Sequence, residues 1–304
     1  MSEVTVVGSV NMDLTSYLDR WPQAGETIAT RETVISLGGK GANQAVAASR
    51  LGAGTSIIGA VGQDGFGADA MRELRGHGVN LHLAAGDDGP TGMAFIDVGP
   101  DGQNLIRISA GANAQLTPQM VGRHSRVLSG SRVVLLQNEI PLEASLKAAQ
   151  LARAAGAVVI MDPAPAPAPF WPAEVLPAFD ILTPNAHEAE MITGHLPRSL
   201  SEAQEAARKL HTHGATGCIV TMGHLGVAWV VDGQAGQREA PKVASIDTVA
   251  AGDCFNGAFA AAYAAGKPIA AAVETAVAAA ALATTRKGAA ASLPDLDELQ
   301  SAMA

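Results

Sequence analysis

The sequence predicts an α/β protein: a doubly wound, mainly parallel sheet flanked by helices, with a small antiparallel β lid outside it. Three observations lead there. Short apolar runs alternate with stretches of helical composition along most of the 304 residues, as in a sheet wound by crossover helices. Glycine-rich polar turns stand between runs and the helices that follow them. Two stretches, residues 26–37 and 93–108, break the alternation with strand patterns of their own.

Residues 4–7 open the chain as a short apolar strand, and the first break, 26–37, has the apolar positions of a strand outside the main sheet. A polar turn with three glycines, Gly38, Gly39 and Gly41, leads into a helix over 43–51, and a strand over 55–61 follows. The second break is a hairpin, strands 93–98 and 104–108 around the turn Pro100, Asp101, Gly102. Strands at 133–137, 158–161, 180–183 and 219–221 alternate with helices at 142–155 and 202–211. Residues 162–169, Asp162 followed by alternating Pro and Ala, form a stiff strand-to-helix loop rather than a ligand for a recognition domain. His211 and His213 precede Gly214, which suits a helix C-terminus. The longest apolar tract, 257–283, is broken by Gly266, Lys267, Pro268 and Glu274 and is rich in Ala, so it reads as two buried helices, the second over 269–286, and not as a membrane span. We expect one domain over 1–304, with lid strands from about 14–37 and 93–109.

Composition narrows the function. The chain carries 20 Lys plus Arg against 29 Asp plus Glu, a formal charge of −9, which argues against nucleic acid or an anionic membrane surface as partner. Hydrophobic residues make up 48% and charged residues 16%, enough to bury a large core. Two cysteines, Cys218 and Cys254, cannot build a disulfide framework and lack zinc-site spacing. With no basic, apolar leader at Met1, these features predict a cytoplasmic protein. Trp21, Trp171 and Trp229 form no stacking ladder and read as packing residues.

Two windows carry chemistry. At residues 37–45 the glycines let backbone N–H groups approach a ligand at a helix start; the turn is either such a cradle or a tight connection, and its spacing is not that of a P-loop. At 247–257, small residues leave amides bare at the start of an Ala-rich helix, where they can neutralise charge on a phosphoryl group. Asp253 in that window is either a base for a hydroxyl nucleophile or an N-cap carboxylate.

These windows, with residues 8–13 (Gly8, Ser9, Val10, Asn11, Met12, Asp13), 59–67, 111–113, 183–188, 221–226 and 285–289 in the same order, resemble the ribokinase branch of the PfkB carbohydrate kinases across nearly the whole chain. The resemblance implies ATP-dependent phosphorylation of D-ribose at its 5-hydroxyl. It implies Asp253 as base, with the amides around Ala251 and Gly252 as an anion hole, and Asn11, Asp13, Gly39, Lys40, Asn43 and Glu139 beside Asp253 as sugar contacts. Lys40 is left open between sugar and phosphate. Nucleotide contacts fall on Asn185, Glu188, Thr221, Gly223, Gly226 and Gly252, with Glu188 organising Mg²⁺ through water or closing a capping box with Asn185. A monovalent cation, K⁺, falls to Asp247, Val249, Ala283, Arg286, Gly288 and Ser292, mostly through carbonyls. A homodimer joined through the lids is implied as well.

Three residues depart from the family pattern. Asp162 stands where Asn is usual, Cys254 where Thr is frequent, and Val277 where a histidine near adenine is common. Beside an anion hole, Cys254 is either a reactive thiol of lowered pKa or a small buried side chain. Alternatives to ribose are 2-deoxyribose, another pentose, a ketohexose or a nucleoside, and an alternative of another class is a catalytically silent sugar or nucleotide sensor.

Overall fold

The computed structural model of the chain describes residues 3–85, 89–167, 169–212 and 215–303. In chain order its strands are β1 (Val4–Val7), β2 (Asn11–Tyr17), β3 (Glu32–Gly38), β4 (Thr55–Val61), β5 (Asn80–Ala85), β6 (Gly92–Val98) and β7 (Asn104–Ser109). After these come β8 (Val133–Gln137), β9 (Val158–Asp162), β10 (Ile181–Leu182), β11 (Gly217–Thr221), β12 (Val227–Val231) and β13 (Gln234–Arg238). The helices are α1 (Lys40–Arg50), α2 (Gly65–Gly76), α3 (Pro118–Gly122), α4 (Ser125–Ser129), α5 (Leu142–Ala154), α6 (Ala186–Thr193), α7 (Leu200–Thr212), α8 (Ala251–Ala264), α9 (Ile269–Ala283) and α10 (Leu296–Met303).

Nine strands form the main sheet in the order β13-β12-β11-β10-β9-β8-β1-β4-β5. Pairing is parallel from β5 to β11 and antiparallel only at β11–β12 and β12–β13. The central strands β1, β4 and β8 are buried along their whole length, which is why they read as unbroken apolar runs instead of alternating ones. Alternation appears instead between the two faces. Val133 and Leu135 of β8 point to a core shared with α1, α8 and α9, while Val134 and Leu136 point to one shared with α5 and α7.

The chain leaves β1 toward β4 on one side and returns to β8 on the other, so the switch in strand order falls between β1 and β8. In a doubly wound sheet, ligands bind outside the carboxyl ends of the strands at that switch. Here those ends deliver Ser9, Gln137, Glu139 and Asp162.

A second sheet has the order β3-β2-β6-β7. It consists of two antiparallel pairs, β2–β3 and β6–β7, that meet through a parallel pairing of β2 with β6. The middle pair is parallel because both strands leave the main body in the same direction, with Asn11 and Gly92, their first residues, side by side.

The doubly wound sheet with its small companion matches expectation, and most predicted strands fall within a residue or two of the observed ones. Helix α1 begins at Lys40, three residues earlier than the composition indicates, because Gly39 takes φ 87° and turns the chain directly into the helix. Not anticipated were β5, β12, β13, α2, α3, α4 and α10, and the strand expected within 26–37 begins only at Glu32; β13, Gln-Ala-Gly-Gln-Arg, carries no apolar periodicity at all. The His211 ring sits against the Ala215 carbonyl (2.9 Å), as a helix-end histidine should; His213, Gly214 and Ala168 of the proline-rich loop lie outside the described residues. Trp171 and Trp229 are buried, but Trp21 is 37% exposed, so packing explains only the first two.

Candidate active site

The site is assembled where α1 and α8 meet the carboxyl ends of β1, β8 and β9. Its floor is the glycine turn. Gly41 packs on the Gly8–Ser9 backbone so tightly that an added Cβ would lie 2.6 Å from it, and a Cβ on Gly38 would overlap the Asp13 carboxylate at 2.0 Å. Glycine is therefore required here for approach, both of the two backbones and of the turn to an acidic side chain. Glu139 fixes the turn by accepting the Lys40 N–H at 3.0 Å and the Ser9 hydroxyl at 2.5 Å, and the Ser9 Oγ in turn accepts the Gly41 N–H at 3.2 Å.

Asp253 lies in the first turn of α8 and is 5% exposed. Asn43 Nδ2 donates to its Oδ2 at 3.0 Å and Gln44 Nε2 to its Oδ1 at 3.2 Å, while the Lys40 Nζ stands 3.9 Å away. Ahead of the helix, Ala250 takes the left-handed conformation at φ 59°, and the chain turns sharply into Ala251, Gly252 and Asp253. The Ala251 N–H, expected in the anion hole, is instead turned back to the Thr248 carbonyl at 3.2 Å, so the helix tip offers an anion the amides that follow it, those of Gly252 and Asp253.

From the lid, Asn11 and Asp13 of β2 reach the same space. Asn113 holds Asn11 by donating from Nδ2 to its Oδ1 at 2.7 Å, and fixes β2 by accepting the Val10 N–H at 2.9 Å. Burial pushes the Asp13 carboxyl up to about 7, and Glu139 and Asp253 add to the rise. Burial pulls the Lys40 ammonium down, but Asp162, Asp253, Glu139 and Glu188 around it outweigh that and hold it above its ordinary value. Asn43 Oδ1 and Gln137 Oε1 are buried without a partner among the described residues. A ligand rich in hydroxyls fits them, since each hydroxyl both donates and accepts.

A second group lies across the sheet ends. Asn185 caps α6 in a capping box with Glu188: the Asn185 Oδ1 accepts the Glu188 N–H at 3.0 Å, and Glu188 Oε2 accepts the Asn185 N–H at 2.8 Å. Burial holds the Glu188 carboxyl above its ordinary value, partly offset by its bonds to Asn185 and by Lys40. Asn185 bridges to Thr221, and the turn after it uses Gly223 at φ 55° and Gly226 at φ 112°. A Cβ on Gly226 would strike the Arg238 carbonyl at 2.0 Å, so this turn packs on the segment that walls a cavity of about 750 Å³. Val243, Val277 and Ala281 give that cavity an apolar side, and Arg238 pairs with Glu274 at its mouth.

Asp247 links two loops: its Oδ1 accepts the Val249 N–H and its Oδ2 the Gly288 N–H, both at 3.0 Å. The Ser292 hydroxyl donates to the Ala289 carbonyl and Arg286 pairs with Glu298, which leaves carbonyl oxygens as what Ala283, Arg286, Gly288 and Ser292 have to offer a cation. Among the described residues no group of three or more His, Cys, Asp or Glu side chains comes together to hold a metal. Cys254 is buried, and burial, with Asp253 beside it, pushes its thiol up, not down. The small-side-chain reading holds and the reactive-thiol reading does not.

Asp13, Lys40, Asn43, Glu139 and Asp253, all assigned to the sugar, thus lie near one another, and Asn185, Glu188 and Thr221 lie together across the sheet ends, while the residues assigned to the nucleotide do not themselves line the cavity. Sequence reasoning gave no role to Ser9, Gln44, Asn113, Gln137 or Asp162, which orient the others. Gln44 and Asn113 lie inside recognised windows, but nothing in their spacing marks a second layer of contacts.

Asp253 in the first turn of α8, beside Lys40, Asn43 and Gln44 at the switch point of a doubly wound sheet, suits phosphoryl transfer to a hydroxyl. The chain belongs to the pfkB family of carbohydrate kinases, whose sequence profile matches residues 1–296. It is 37% identical over 296 residues to a ribokinase of Haemophilus influenzae, covering 97% of this chain and 96% of the relative. A deoxyribokinase of Salmonella typhi is 34% identical over 297 residues, covering 97% of each chain. The solved structure of Arabidopsis thaliana ribokinase complexed with ribose and ATP superposes with a TM-score of 0.92 at 33% identity, covering 99% of this chain and 98% of that one.

Proposed function

We propose that the chain transfers the γ-phosphoryl group of ATP to the 5-hydroxyl of D-ribose, giving D-ribose 5-phosphate and ADP. The observation that carries this reading is the pairing of Asp253 with the amides of the α8 tip, next to a pocket with orphaned amide oxygens. Asn11 and Asp13 from the lid, and Gly39, Lys40, Asn43 and Glu139 from the body, hold the sugar hydroxyls. Asp253 takes the proton of the attacking hydroxyl; the oxygen bonds to the γ-phosphorus, and the bond to the β–γ bridging oxygen breaks with its electron pair leaving on ADP. The Gly252 and Asp253 amides, held in place by the Ala251 turn, receive the negative charge of the transferring group.

The nucleotide lies across Asn185, Thr221, Gly223 and Gly226, with its base in the cavity beside Val277. Glu188 and Asn185 form an oxygen-bearing edge that suits Mg²⁺ held through water, and that ion, when bound, neutralises phosphate oxygens. Asp247 and the carbonyls of Val249, Ala283, Arg286, Gly288 and Ser292 form an all-oxygen set suited to K⁺, whose charge stabilises the loops beside the helix tip. The lid exposes Val34 (40%), Ile106 (49%) and Ile108 (54%) on the face that carries Asp13, which supports a homodimer joined lid to lid. No helix among the described residues is long and apolar enough to cross a membrane, and two free, buried cysteines favour a cytoplasmic setting.

The test is an ADP-release assay with ribose, 2-deoxyribose, fructose and adenosine, with and without K⁺ and Mg²⁺. Ribose is expected to give the highest kcat/KM. A tenfold preference for deoxyribose, the second reading favoured by the deoxyribokinase relative, or for adenosine overturns the sugar assignment. Ribose binding with no ADP formed overturns the enzyme.

A further inference from the structure

Asp162, at the end of β9, is 4% exposed and shares both of its charged or donating partners with Asp253. The Gln44 amide nitrogen donates one hydrogen to Asp162 Oδ2 at 3.0 Å and the other to Asp253 Oδ1 at 3.2 Å. The Lys40 ammonium stands 3.8 Å from Asp162 and 3.9 Å from Asp253. Gln44 cannot turn away, because its carbonyl oxygen accepts from Gln137 Nε2 at 2.7 Å and a flipped amide would aim that oxygen at two carboxylates. Oxygens that share one nitrogen in this way lie within about 6 Å of each other, close enough for each charge to be felt by the other in a water-poor site.

We propose that Asp162 is a positioning residue for the phosphoryl transfer: it holds the far hydrogen of Gln44 and a share of Lys40, so that Asp253 is kept in one orientation with an unquenched charge for the sugar proton. The proposal rests on the sugar-kinase reading above. Asp162 itself exchanges no proton in the step.

Asp162 is faced by Lys40 from α1, Asp253 from α8, Glu188 from α6 and Glu139 from the segment after β8. Burial pushes its carboxyl up to about 7 against the pull of Lys40, and Asp253, Glu188 and Glu139 add to the rise. Below that pH Asp162 is neutral and Lys40 belongs to Asp253 alone, damping the base; above it the ammonium is divided. Wild-type kcat/KM for ribose, which reports groups of the free enzyme, should rise about fivefold between pH 6 and 8. Asp162→Asn should match wild type at pH 6 and be about fivefold slower at pH 8. Asp13 also titrates near 7, but it is present in both proteins and drops out of their difference.

Thermal unfolding gives a readout independent of catalysis. A carboxyl whose pKa is raised by folding stabilises fully below its unfolded value, and that contribution is lost as pH rises through the folded value. Asp162→Asn should therefore melt higher than wild type at pH 8, with the gap closing toward pH 4. Parallel kcat/KM profiles, or a variant that melts lower at every pH, reduce Asp162 to a packing residue and overturn the proposal. A wild-type protein that forms no ADP with any sugar at any pH removes the kinase reading and the role of Asp162 together, a result distinct from both variant outcomes.

Discussion

Asp253 is oriented from three sides by Asn43, Gln44 and Lys40, all within one turn and a half of α1. Replacing it by Asn keeps the shape and the sugar contacts but removes the proton acceptor. We expect Asp253→Asn to fold, to bind ribose, and to lose about two to four orders of magnitude in kcat, the range set by general-base catalysis. Calorimetry for sugar binding beside the ADP assay checks both halves, and turnover near wild type would show the base to be elsewhere. At this scale the sequence was legible wherever glycines crowd a polar helix start, because small residues at such a place have few other uses. It was not legible at Gln137 or Asp162, since a lone polar residue ending an apolar strand looks the same whether it faces solvent or a buried cluster. Only the sheet order, which sets β1, β8 and β9 side by side, brings their ends together.

Helices α1 and α8 carry between them Lys40, Asn43, Gln44 and Asp253, so their separation sets the site. They touch at Gly257, where an added Cβ would meet the Ala47 Cβ at 2.5 Å, the Gln44 carbonyl at 2.6 Å and the Ala48 N at 3.0 Å. Gly257→Ala must push the helices apart, and none of the three neighbours is a flexible tip that can swing away. The expected cost is about 1–3 kcal/mol, the range for overpacking a core, read as a lower denaturation midpoint, together with a fall in kcat at every pH. A variant of unchanged stability would mean that the contact is looser than described. The alanine richness of residues 257–283 was read as burial, and α8 and α9 are indeed buried along most of their length. Why that burial needs alanine follows from the close approach of α1 and of α9 to α8, which a strand-and-helix reading does not contain. Strand β13 was missed because it pairs only with β12 at the sheet edge and has little apolar surface to betray it.

For the molecule as a whole, the lid carries the exposed apolar surface on which the proposed homodimer rests. Its exposed Val34, Ile106 and Ile108 lie across β3 and β7, on the two edges of a sheet whose same face presents Asp13. Ile106→Glu should convert a dimer to a monomer in light scattering at micromolar concentration while leaving the far-ultraviolet spectrum unchanged; an unaltered mass would place any dimer contact elsewhere. Two of the crossings between the small sheet and the large one are short. β1 runs into β2 through Gly8, Ser9 and Val10, and β3 returns into α1 through Gly39. Asn11 and Asp13 travel with one sheet and Asp253 stays with the other, so a pentose gripped by all three is a strut between two bodies. Occupancy by the sugar alone, before any nucleotide arrives, should then slow amide hydrogen exchange at those crossings, and the enzyme would feel its acceptor as tension in the links rather than as a filled pocket.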